Sequence, residues 1–173
     1  MAVTIVATVG SASANSYVTL AECTTYMEAR LNSDAFDDAV ADSQNRALVE
    51  ATRELTVLPW DGLQVTATQA LAWPRQWSRD PDSPVQDYFE TDVIPQRVKD
   101  ATCELAFQFL KAGTTDVAAE PAEFGVTEKT VDVLTTRYES RQRSTGLRRY
   151  PRVWDRIAPL LQYSPSTRRL VRG

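Results

Sequence analysis

The stretch IPQRVKDATCELAFQFLKAG, residues 94–113, decides the fold. Val98, Ala101, Leu105 and Phe109 recur at helical spacing on one stripe, and Ala106 and Leu110 widen it, so the segment predicts an amphipathic helix. Pro95 suits the first turn, where a missing N–H costs nothing, and Gly113 suits a left-handed C-cap. So broad an apolar face needs neighbours on more than one side, which places this helix at the centre of a bundle.

Three further helices fit the same pattern. Over 19–32, Thr19 and Glu22 have the spacing of a capping box, and Leu20, Cys23, Met27 and Leu31 follow as an apolar stripe. The acidic run NSDAFDDAVADS reads as a loop with one helical turn around Phe36. Over 43–58, Asp42 or Ser43 is the expected cap, Leu48, Ala51, Leu55 and Leu58 are the buried positions, and Pro59 ends the helix. Beyond Gly113 the chain reads as a linker and then a β-hairpin at about 124–138. Its valines and threonines favour strand, and Thr127, Glu128 and Lys129 are the expected turn. RQRSTGLRR is too polar to pack. The last helix is expected over 151–161, with Val153, Trp154, Ile157, Leu160 and Leu161 apolar and Pro159 disturbing its end. The fold class is therefore mainly α: a bundle of about four helices with a long aromatic and proline-rich loop, a small hairpin and an extended C-terminal arm. The helical domain covers 1–161 and the arm 162–173.

The long loop, 60–93, carries Trp60, Trp73, Trp77, Tyr88 and Phe89 among three prolines and one glycine. Its length exceeds that of ordinary connections, so it must be packed by its aromatics or be functional. Within it, TQALAWPR (68–75) is expected to act as a clasp. Leu71 and Trp73 pin the loop to the bundle, Pro74 fixes its exit and holds residue 73 extended, and Arg75 is left to pair with an acid.

Composition narrows the function. Histidine is absent, which excludes Ser-His and Cys-His nucleophile pairs and histidine zinc sites. The carboxylates fall in solvated runs and lysines number only three, so catalysis is not expected, nor is a cofactor or a metal. The acidic patch Asp34, Asp37, Asp38 and Asp42 lacks the central glycine of a calcium loop. Cys23 and Cys103, 80 positions apart, read as small buried apolar residues. No apolar run is long enough to span a bilayer and no signal-peptide pattern opens the chain, so the cytosol, or a particle assembled there, is the expected location.

The net charge of −4 hides an asymmetry. Residues 1–136 hold 9 basic and 21 acidic side chains, whereas 137–173 hold 10 arginines against Glu139 and Asp155. Leu170 and Val171 inside RRLVRG add apolar anchors to the charge, a combination that suits docking on a partner. Nucleic acid is one partner for arginines and an acidic protein surface is the other. A single-strand binder needs exposed aromatics in a basic groove, but here the aromatics lie in the acidic portion.

ANSYVTLAE, ATRELT, QALAWPR and IPQRVKDATCELA, in that order over about residues 14–110, resemble the head-to-tail adaptor (head completion) proteins of tailed phages, a family often labelled DnaT-like single-stranded-DNA-binding proteins. Tyr17, Leu71, Trp73, Pro74, Arg75 and Pro95 carry that signature. The resemblance implies a virion protein that forms a ring, typically of twelve copies, below the portal, extends the channel for passing double-stranded DNA and meets a tail or stopper protein on its far side. It also implies a C-terminal segment that reaches the portal, here with Tyr163, Arg168, Arg169, Leu170, Val171 and Arg172 as the contacts. Single-stranded DNA binding is the alternative function.

Overall fold

Thr19 opens the first helix with a complete capping box: its Oγ1 accepts the Glu22 N–H at 3.2 Å, and the Glu22 carboxylate accepts the Thr19 N–H at 2.8 Å. The helix, α1, spans Leu20–Glu28 and buries Cys23 and Met27. It stops before the expected residue 32, and Leu31 is 86% exposed instead of lying on the core stripe. The reason is local. Arg30 turns back on the chain, its Nη1 donating to the carbonyls of Leu31 (3.0 Å) and Asn32 (3.1 Å), and Asn32 takes a left-handed φ of 57°. The structure, a computed structural model, describes residues 3–85, 87–113, 128–131, 134–137 and 146–162.

The turn around Phe36 is α2, Asp34–Asp37, with Phe36 fully buried. The next helix, α3, is Ala41–Thr56 and begins earlier than the sequence suggests. Neither Asp42 nor Ser43 is its cap; Val40 holds that position without a side-chain bond. Asp42 sits in the first turn and accepts the Val3 N–H at 2.8 Å, which holds its carboxyl below the usual range and ties the N-terminal segment to α3. Two residues on each side of the long loop then pair as antiparallel strands, β1 (Leu63–Gln64) and β2 (Arg75–Gln76), in the register Leu63↔Gln76. Strands of this length show no alternation in a sequence, so they went unpredicted.

The central helix, α4, is Gln96–Ala112, with Pro95 as N-cap instead of a first-turn residue and Gly113 as left-handed C-cap at φ 68°. It buries Val98, Ala101, Cys103, Leu105, Ala106, Phe107 and Phe109, and it packs against α1, α2 and α3. The hairpin exists but its register moves. β3 (Glu128–Val131) pairs with β4 (Leu134–Arg137) in the register Val131↔Leu134, so Glu128 and Lys129 lie in a strand instead of a turn; Val126, Thr127 and Val133 lie outside the described residues. Among threonines and valines on both sides, strand preference outweighs the weaker turn signal of Thr-Glu-Lys. A 3-10 turn, Gly146–Arg149, leads into α5, Pro151–Ile157, which packs along α4. As expected, Pro159 disturbs the end of this helix: the α-helix stops at Ile157, short of the expected 161, and the chain continues in a second 3-10 turn, Ala158–Leu160. Among the described residues no helix is long and apolar enough to cross a membrane.

Candidate functional site

The clasp forms as expected, with one correction. Leu71 and Trp73 are buried, and the Trp73 ring meets the edges of Trp60 (centroids 5.7 Å apart, 77° between planes) and Phe89 (5.6 Å, 84°). The Trp73–Pro74 peptide is cis. Trp60 in turn donates its Nε1 to the Leu55 carbonyl at 2.8 Å, which fastens the loop to the end of α3. Among the described residues Arg75 makes no ion pair with an acid. Its guanidinium is spent on backbone carbonyls: Asp61 at 2.7 Å, Gly62 at 2.5 Å, Ala72 at 3.1 Å and Trp60 at 3.4 Å. The chain folds around the guanidinium because the two ends of the loop, at 60–62 and 72, present unpaired carbonyls in one place. Burial lowers the Arg75 pKa accordingly. Gly62 is required at this crossing: it has φ 73°, and a Cβ there would lie against Gln76 O and 2.7 Å from Ser78 N.

Tyr17 belongs to the same cluster. Its hydroxyl bonds Thr56 Oγ1 at 3.0 Å, and burial pushes its pKa from 10.0 up to about 12. The folded chain thus keeps a phenolic proton that the unfolded chain loses near pH 10, so the stabilisation is whole below pH 10 and is lost as pH rises through about 12. Thermal melts across that window should show a steep fall for the native chain and a shallower one for Tyr17→Phe.

A second cluster was missed by sequence reading. Glu104, 1% exposed in the middle of α4, accepts from Tyr26 Oη at 2.9 Å and from Arg30 Nε at 3.2 Å. Arg30 also stacks on Phe107, 3.8 Å from the ring centroid. From α5, Arg156 donates to Tyr26 Oη at 2.7 Å and lies 3.7 Å from Asp100, while Arg152 approaches Glu104 at 3.9 Å. Burial and Glu104 together raise the Tyr26 pKa. Tyr26, Arg30, Glu104, Arg152 and Arg156 line an open cleft of about 430 Å³. The signal was available: a glutamate inside ATCELAFQF must be paired if the helix is central.

The cysteines are both buried and free, and a hydrogen bond with Cys23, together with burial, pushes the Cys103 thiol up and keeps it protonated. Arg148, Arg149 and Arg152, before and within α5, are exposed, and Arg148 lies over Trp154 at 4.8 Å. The predicted portal contacts Tyr163, Arg168, Arg169, Leu170, Val171 and Arg172 lie outside the described residues.

No curated protein and no solved structure matches the chain. The family model described as "Putative DnaT-like ssDNA binding protein" matches residues 1–173, and the chain belongs to that family.

Proposed function

We propose that the protein is a head-to-tail adaptor of a tailed phage, a structural component that rings the portal, continues the DNA channel and receives a tail or stopper protein. The observation that carries this reading is the burial of the two tryptophans at the heart of the loop, while the exposed Trp77 and Tyr88 belong to a segment that also exposes Asp82, Asp87, Glu90 and Asp92. Trp60 and Trp73 are 2% and 1% exposed, locked edge to face within the loop, and so offer no face on which a base could stack. The charge division supports the same reading. An acidic body repels a passing duplex and lets it slide, and an arginine-rich end is suited to an acidic protein collar. Ring closure needs two unlike patches on each copy, and exposed Leu31, Val57 and Trp77 lie on separate segments from which such patches could be built.

One observation favours the second reading, single-stranded DNA binding: the exposed arginines around Trp154 combine cations with an aromatic ring. The two readings separate cleanly. For an adaptor, truncation after Gln162 leaves a folded chain that no longer binds the portal protein, and retained binding contradicts the arm's role. For a DNA binder, the native chain shifts a labelled single-stranded oligonucleotide, with affinity falling steeply as salt rises.

A further inference from the structure

The outer side of residues 63–93 is used by neither the clasp nor the arginine end. Leu63, Trp77, Val85 and Tyr88 are 55%, 61%, 77% and 49% exposed there. Asp82, Asp87, Glu90 and Asp92 are exposed among them, and Asp82 is already held by Arg97 at 2.6 Å. The surface is built on a fixed frame. Ser78 is buried and its carbonyl accepts the Phe89 N–H at 3.0 Å, while Arg79 and Tyr88 form an isolated antiparallel bridge. Trp77, between β2 and that frame, is held at a left-handed φ of 59° with its ring in solvent. Such backbone costs a bulky residue on the order of 1–3 kcal/mol and persists where function uses it.

We propose that this surface takes residues 163–173 of its own chain in the free protomer. The described chain leaves the bundle at the root of the same loop: Gln162 donates its N–H to the Pro59 carbonyl at 2.8 Å, Asp61 donates to Leu160 at 2.9 Å, and Trp60 bridges Leu161. From there YSPSTRRLVRG, extended at roughly 3.3 Å per residue, can reach about 36 Å. Its chemistry is the complement of the surface. Tyr163, Leu170 and Val171 suit the exposed apolar side chains, and Arg168, Arg169 and Arg172 suit the exposed Asp87, Glu90 and Asp92, which outnumber the exposed Arg79. Combined with the adaptor reading, on which this consequence rests, the contact keeps the arm covered until a portal competes for it.

The test uses the full chain carrying 5-fluorotryptophan, whose four fluorine resonances are assigned by single Trp→Phe variants. Reversing Arg168, Arg169 and Arg172 to glutamate should move the Trp77 resonance while Trp60 and Trp73 stay in place. Reversing Asp87, Glu90 and Asp92 to lysine should move it similarly, and combining both sets should restore it. An unmoved Trp77 in the arm variant overturns the proposal, even if portal binding is lost and the adaptor reading survives. A shift that appears only at concentrations where sedimentation detects dimers also overturns it, because the occupant is then a second copy.

Discussion

Replacing Glu104 by alanine should lower the unfolding free energy by about 3–5 kcal/mol, measured by urea denaturation, because the change strands a buried cation. The Arg30 side chain is 11% exposed and the Glu104 side chain 2%, so little water reaches either when its partner is removed. The Tyr26 hydroxyl loses its acceptor as well, while Arg156 still donates to Tyr26 Oη from α5. Removing both charges is a different experiment. Arg30→Met with Glu104→Leu should recover most of the loss, since the pair itself contributes little beyond its own desolvation and methionine keeps contact with Phe107. A loss below about 1 kcal/mol for Glu104→Ala would mean that water reaches the cleft and hydrates Arg30.

Trp73→Ala should cost a similar about 3–5 kcal/mol, as large-to-small changes at buried aromatic positions do. The ring is 1% exposed and stands between Trp60 and Phe89, so its removal undoes two edge-to-face contacts and opens a cavity where the loop meets the bundle. Trp73→Phe should recover part of the loss. An unchanged melting temperature with lost assembly would place Trp73 at an interface between copies instead.

The helices were legible because their faces are periodic and their ends chemically marked. Thr19 with Glu22, Pro95 and Gly113 set boundaries within a residue or two, and the breadth of the apolar face on 96–112 announced a central helix. What the sequence concealed depended on partners distant along the chain. Arg75 looked available for an acid because the four carbonyls that hold it come together only when the loop closes. Leu31 looked buried because periodicity alone does not reveal that Arg30 bends the chain away toward Glu104. The hairpin was placed correctly in kind but not in register, since short runs rich in threonine and valine fit a strand at several offsets. As for the candidate site, Tyr17, Leu71, Trp73, Pro74 and Arg75 gather at the clasp and Pro95 caps α4 instead, whereas the exposed Trp77 and the arginines around Trp154 acquired meaning only once their surroundings were seen.

The account turns on a ring built at the portal, and the most direct measurement is to mix the full chain with the portal protein of the same phage and count copies by electron microscopy. The account predicts a closed ring of about twelve subunits on the portal face, one per portal subunit, that is lost when residues 163–173 are deleted. Portal left bare at saturating protein, with the same preparation retaining single-stranded oligonucleotide at physiological salt, would contradict it.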